Sequence, residues 1–160
     1  LSVYKRIGLV GAFIILFITL YTNQYFHGGL WGTLHNKSVK PKVEIYEASI
    51  KESSLVFDVY RVEGVDVYGS FLISASLKDS NENDIYRING EALAALKKDQ
   101  IKNYYIAKVK PGKHSLIIPL GAKATINLND NKFNQLSKGK YTLTLTDVSG
   151  IFWEKEIIIK

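Results

Sequence analysis

Two patterns of apolar and polar residues divide the chain. From Ile7 to Leu20 almost every residue is apolar, reading IGLVGAFIILFITL, and from Lys42 onward apolar and polar residues alternate with a period of two. The first pattern has no polar face, which a helix needs if it packs on a soluble core. The second is the signature of strands buried on one side.

The alternating region predicts seven to eight short strands. Val43, Ile45 and Tyr46 open the first run, and Leu55, Phe57, Val59 and Arg61 alternate with Val56, Asp58, Tyr60 and Val62 in the second. Further runs are Ser70–Leu77, Asp84–Ile88, Tyr104–Val109, His114–Leu120, Lys140–Thr146 and Ile151–Ile159. Turn residues separate them, including Pro111-Gly112 and Asp147–Gly150. Strong helix formers without a β-branched residue predict one short helix over Glu91–Lys98, on a crossover between sheets, and one helical turn over Phe133–Leu136. The fold class expected is all-β: an immunoglobulin-like β-sandwich with one short helix, preceded by a single N-terminal transmembrane helix. The apolar Ile157–Ile159 predicts a last strand that is paired on both sides or covered.

The dense apolar run has fourteen residues, short for a bilayer span, but uncharged residues continue through Phe26. Twenty residues at a helical rise reach roughly 30 Å, one hydrocarbon thickness. The anchor residues are Ile7, Leu9, Val10, Phe13, Ile14, Ile15, Leu16, Phe17, Ile18 and Leu20; Gly8 and Gly11 would allow close helix–helix contact. Lys5 and Arg6 mark one interface, and Tyr21, Tyr25, Phe26 and Trp31 the other. A cleaved signal peptide would end in small residues, whereas Tyr21–His27 offers no A-x-A-like site. A pilin-like helix would carry an acidic residue early in the run, and Gly8–Ala12 is uncharged. The basic pair precedes the run and the next basic residue is Lys37, so the N-terminus is expected in the cytoplasm and the rest outside it. The divisions are an anchor over 1–26, a Gly/Pro-marked linker over 27–41, and an extracytoplasmic β domain over 42–160.

Composition narrows the chemistry. Cysteine is absent, which removes disulfides and thiolate chemistry and favours a prokaryotic cell envelope. The net charge is +6, carried by scattered lysines that suit a solvated surface or one facing anionic headgroups. Arginine is scarce and no recognition motif lies among the basic residues, so nucleic acid is not expected as a partner.

Leu136-Ser-Lys-Gly-Lys-Tyr-Thr-Leu-Thr-Leu145 resembles a recurrent L-x-x-G-x-Y-x-L-x-L strand of immunoglobulin-like and fibronectin-like domains. The resemblance covers about ten residues and implies fold alone. It implies that Tyr141 ties its hydroxyl to nearby backbone and that Gly139 takes a positive φ.

No constellation for catalysis is visible. His27 and His35 lie in the linker and His114 follows the Pro-Gly turn, with no converging ligands in sequence. Asp79–Asp84 lacks calcium-loop spacing and reads as a polar hairpin turn; Asn127, Asn129, Asp130 and Asn131 read as a second. There is no serine elbow or phosphate-binding glycine loop. The chain is expected to be no enzyme, with no cofactor, no metal and no small-molecule substrate. Its partners are expected to be the lipid bilayer and other membrane-protein subunits. Tyr104, Tyr105 and Trp153 are candidates for a partner surface. The leading expectation is an accessory, assembly or interaction subunit of a membrane-bound complex, a layout similar to small bacterial assembly proteins of respiratory oxidases. The alternatives are a self-assembling pilin-like filament subunit and a cell-surface adhesion or binding module.

Overall fold

The computed structural model describes residues 2–27, 40–64 and 70–160, apart from the side chains of 22–27 and 70. Two compact units result, 1–40 and 41–160.

In the first unit, α1 (Val3–His27) is one unbroken helix of 25 residues. Its stretch Val3–Tyr21, with a mean hydropathy of 1.9, is long and apolar enough to cross a bilayer. Thr19 Oγ1 donates to the Ile15 carbonyl at 2.9 Å, so its hydroxyl is satisfied inside the helix, as an apolar surrounding requires.

The second unit is an all-β sandwich. Its strands are β1 (Lys42–Lys51), β2 (Ser54–Glu63), β3 (Ser70–Lys78), β4 (Asp84–Asn89), β5 (Ile101–Asn103), β6 (Lys110–Pro111), β7 (Leu116–Ile118), β8 (Lys123–Asn129), β9 (Gly139–Asp147) and β10 (Phe152–Ile159). One sheet has the order β1-β2-β8-β5; the other runs β10-β9-β3-β7-β6, with β4 also paired to β3. All pairs are antiparallel. β7 and β4 share one edge of β3, facing Ser70–Leu72 and Ser74–Lys78 in turn.

Alternation sets the core. Leu55, Phe57 and Val59 of β2 point inward with Ala124, Ile126 and Leu128 of β8, and Leu72, Leu77, Leu143 and Leu145 meet them from the other sheet. Arg61 continues the inward row of β2 and is only 1% exposed. Its guanidinium is satisfied by backbone: Nη1 donates to the Ile118 carbonyl at 3.0 Å. A bulge in β1 between Ile45 and Ala48 shifts the inward positions from Val43 and Ile45 to Ala48 and Ile50, so both halves of the strand still cover the core.

Several local expectations are corrected. Tyr104–Val109 is not a strand: β5 ends at Asn103, whose side chain pairs with Val109 instead. The strand expected over His114–Leu120 shrinks to β7. Asn127 and Asn129 belong to β8, on outward positions of a strand that the asparagine cluster disguised; only Asp130 starts a turn, capping the 3₁₀ turn Asn131–Gln135. The helix expected over Glu91–Lys98 is α2 (Gly90–Ala94), followed by a separate 3₁₀ turn at Lys98–Gln100. So short a helix rests on its Asn89 cap and on Leu93, which is fully buried, rather than on propensity. It does lie on the crossover between sheets. Gly90 is required where that crossover leaves β4, since a Cβ there would stand 2.0 Å from the His114 carbonyl oxygen. Finally, among the described residues β10 is strand-paired on one side only, to β9, and Ile158 is exposed while Ile157 is buried. On its free side β1 of the other sheet runs alongside.

Two features match the strand resemblance. Tyr141 Oη donates to the Ser137 carbonyl at 2.7 Å, and Gly139 has φ +151°. The Asp79–Asp84 segment is the polar hairpin turn expected: the Asp79 carboxylate accepts from the backbone N–H groups of Asn81 and Asn83, each at 2.9 Å. These bonds, that from Asn83 first, hold Asp79 below its ordinary value of 3.8. The unfolded chain lacks them. The turn's contribution is therefore complete above the unfolded value and is lost as pH falls through the folded one. Asp79→Asn should flatten the acid limb of a stability–pH profile below about pH 4, read by chemical denaturation at stepped pH. An unchanged acid limb would refute the role given to this carboxylate.

Candidate interaction surface

Polar and aromatic side chains gather on the outer face of the four-stranded sheet. The pairing that buries Val59 against Ala124 turns Tyr60 and Lys123 outward together. Tyr46 of β1 stacks on Tyr60, with ring centroids 6.1 Å apart and planes 28° off parallel. Lys123 Nζ lies 5.4 Å from the Tyr46 ring centroid, and Lys102 of β5 lies 5.5 Å from that of Tyr104, both within cation–π range.

Electrostatics ties this face together. The Tyr46 hydroxyl bonds the Glu44 carboxylate, which Lys42 also meets at 3.2 Å. The phenol bond first and the lysine second hold Glu44 below its ordinary range, and the same carboxylate holds the Tyr46 phenol above 10.0. Across the sheet, Thr125 Oγ1 donates to Asp58 Oδ1 at 2.5 Å. A hydroxyl has one proton to give, so the Tyr104 hydroxyl, 2.9 Å away, is the donor to Thr125.

The loop after β5 is closed by a side chain. Asn103 Oδ1 accepts from the Val109 N–H at 2.8 Å and Asn103 Nδ2 donates to the Val109 carbonyl at 3.0 Å. The amide thus imitates a strand partner and pinches residues 104–108 into a loop. On it Tyr105 is 56% exposed and Ile106 99% exposed. Tyr105, Ile106 and Ala107 share a shallow recess with Tyr60 and Gly121.

Tyr104 and Tyr105 therefore share one exposed surface, joined by Tyr46 and Tyr60 from other strands. Trp153 meets this surface only at its edge: it is half-buried against the core and lines a second recess with Val43–Tyr46. Tyr46 and Tyr60 were not singled out in the sequence; each outward tyrosine of a strand is a weak signal alone, and only the register brings them together.

On α1, Ile7, Leu9, Val10, Phe13, Ile14, Ile15, Leu16, Phe17, Ile18, Leu20 and Tyr21 all stand exposed. Gly8 and Gly11 have open space where a Cβ would be. The side chains of Tyr25, Phe26 and His27, together with Trp31 and His35, lie outside the described residues. His114 Nδ1 stands 3.8 Å from Glu91 Oε1, with both side chains well exposed, which is one surface pair rather than a ligand set. Among the described residues no group of three or more His, Asp or Glu side chains is placed to hold a metal ion.

None of the curated proteins matches the sequence. Among solved structures, a family 123 glycoside hydrolase from Clostridium perfringens aligns at 7% identity and a TM-score of 0.30, covering 77% of this chain. The chain spans only 27% of that protein's length, and a likeness this slight carries nothing on fold or activity. The family comparison is of a different weight, beginning at the end of α1 and running through nearly all of the sandwich. Residues 26–156 match the family described as TQO small subunit DoxA, and the chain belongs to that family.

Proposed function

We propose that this protein is a non-catalytic accessory subunit of a membrane-bound complex. The observation that carries the reading is the family match joined to a helix able to cross a bilayer. The family is described as TQO small subunit DoxA, and in our reading the larger assembly is a membrane-bound quinol oxidase complex. In this reading α1 stays attached and docks against membrane helices of the larger subunits through its Gly8–Gly11 side, where small residues permit close backbone approach. The N-terminus lies in the cytoplasm and the sandwich on the other side, as the basic pair Lys5-Arg6 favours. The immunoglobulin-like character of the sandwich rests on the Tyr141 corner bond.

The redox chemistry then belongs to other subunits. The surface of this chain is rich in tyrosine and lysine and offers contact area.

Purification from native membranes in mild detergent, followed by sizing and mass spectrometry, tests this. The chain is expected in fixed stoichiometry with a multi-span membrane protein, with Lys5 and Arg6 still present. A chain that elutes alone, or one cut before the apolar run and found in filaments, overturns the reading.

A further inference from the structure

The exposed apolar side chains of the β domain are not spread evenly. Residues 41–160 enter the sandwich at Pro41–Lys42, beside the end of β2 at Glu63. The start of β8 and the end of β5 lie at the same end, because Tyr60 pairs with Lys123 and Tyr104 N–H donates to the Lys123 carbonyl at 3.0 Å. The start of β3 does too, since Ser70 pairs with Ile118 and β7 leads directly into β8. The β9–β10 turn joins them, as Val148 N–H donates to the Phe71 carbonyl.

At or near this end stand Ile106 (99% exposed), Val148 (63%), Phe152 (60%), Tyr105 (56%), Tyr104 (49%) and Tyr46 (46%). The far end carries the turns Lys51–Ser54, Asp79–Asp84 and Asp130–Lys138, each holding at least one carboxylate; the apolar residues of the last, Phe133 and Leu136, are packed on the core. Ile158 is the large apolar side chain exposed toward that end.

Lysines occur at both ends, but in different company. Lys102, Lys108, Lys110 and Lys123 lie in a stretch from Gln100 to Asn129 that holds no Asp or Glu, and Asp147 beside them is buried, whereas the far end mixes Lys51, Lys78, Lys132 and Lys138 with Glu52, Asp79, Glu82, Asp84 and Asp130. Lys40 and Lys42 add to the entry end; Glu44 there is engaged by Lys42 and Tyr46, and Glu63 is the acidic neighbour across from Lys42.

We infer that this end of the sandwich seats on the surface of the lipid bilayer, with Ile106 inserted at the headgroup boundary, Tyr104 and Tyr105 beside it, and the lysines meeting anionic headgroups. Three observations favour lipid over a protein partner. The exposed apolar tip is at the end where the chain arrives from a segment able to cross the bilayer. Its composition, an aliphatic tip with flanking tyrosines and lysines, is that of membrane interfaces. Its charge is complementary to anionic lipid, each lysine near such a surface adding attraction. The loop is also preorganised by the Asn103 clamp, so seating it costs little ordering entropy. The inference rests on α1 residing in the bilayer, not on which complex the protein joins.

The absence of cysteine makes the test clean. Full-length Ile106→Cys and Ser80→Cys proteins, each labelled with an environment-sensitive fluorophore, are reconstituted into vesicles of phosphatidylcholine alone or with phosphatidylglycerol. Both positions are exposed, so neither substitution disturbs packing. Carbonate washing first establishes that the chain is retained. The label at 106 should be blue-shifted, quenched by a lipid-borne quencher, and several-fold less quenched by aqueous iodide than the label at 80. The contrast should grow with anionic lipid. Equal iodide quenching at 106 and 80 in both bilayers overturns the inference. So does shielding at 106 that occurs only with co-purified subunits bound, which would make this end a protein-docking surface. Loss of the chain on carbonate washing overturns the anchor and the seating together.

Discussion

A chain beginning at Pro41 is expected to leave the membrane fraction entirely and to remain folded. The reason lies in how the apolar residues are divided. Among the described residues, every member of the buried core falls between Val43 and Ile157, within the second unit. The ten apolar anchor side chains of α1 are instead left exposed. At roughly 0.3–0.6 kcal/mol for each Leu, Ile, Phe or Val at the centre of a bilayer span, they supply about 3–6 kcal/mol of insertion free energy in addition to that of the helical backbone. One isoleucine and its tyrosines at the sandwich end cannot replace this. Carbonate fractionation and circular dichroism of full-length and shortened chains make the check. A shortened chain that stays with the membrane pellet, or that loses its β spectrum, would show that the two units are not separable in this way.

The other large effect is expected in the core. Phe57→Ala should cost about 3–5 kcal/mol, the usual range for removing a buried aromatic ring. Phe57 is 1% exposed in the second strand of its sheet, between Ala48 of β1 and Ile126 of β8 in register. Backbone pairing on both sides prevents collapse around the void. Against a total stability of about 5–15 kcal/mol, such a loss leaves a marginal domain. Val56→Ala, one residue along and facing outward, should cost far less. Urea denaturation of the two variants separates them. A Phe57→Ala loss under about 1 kcal/mol would contradict the packing described.

The period-two alternation and the apolar run could be read along the chain because each is a local consequence of where water is excluded. That holds for the inward row Leu55, Phe57, Val59 and Arg61, for the polar turn at Asp79–Asp84, and for the Tyr141 corner, whose partner Ser137 is four residues away. It failed where a side chain replaced backbone pairing. Asn103 uses its amide to hold Val109, so residues with strand propensity form a loop. It failed again at β8, where asparagines on outward positions looked like a turn while Ala124, Ile126 and Leu128 carried the burial.

The sequence by itself determined that one segment is greasy on all sides and that the rest must fold as sheets with one buried face. Only the tertiary structure decided that Tyr46, Tyr60, Tyr104 and Tyr105 share a surface, and that Ile106 and Val148 stand at the end where the chain enters. The physical reason is that antiparallel register, not sequence distance, sets which outward side chains become neighbours.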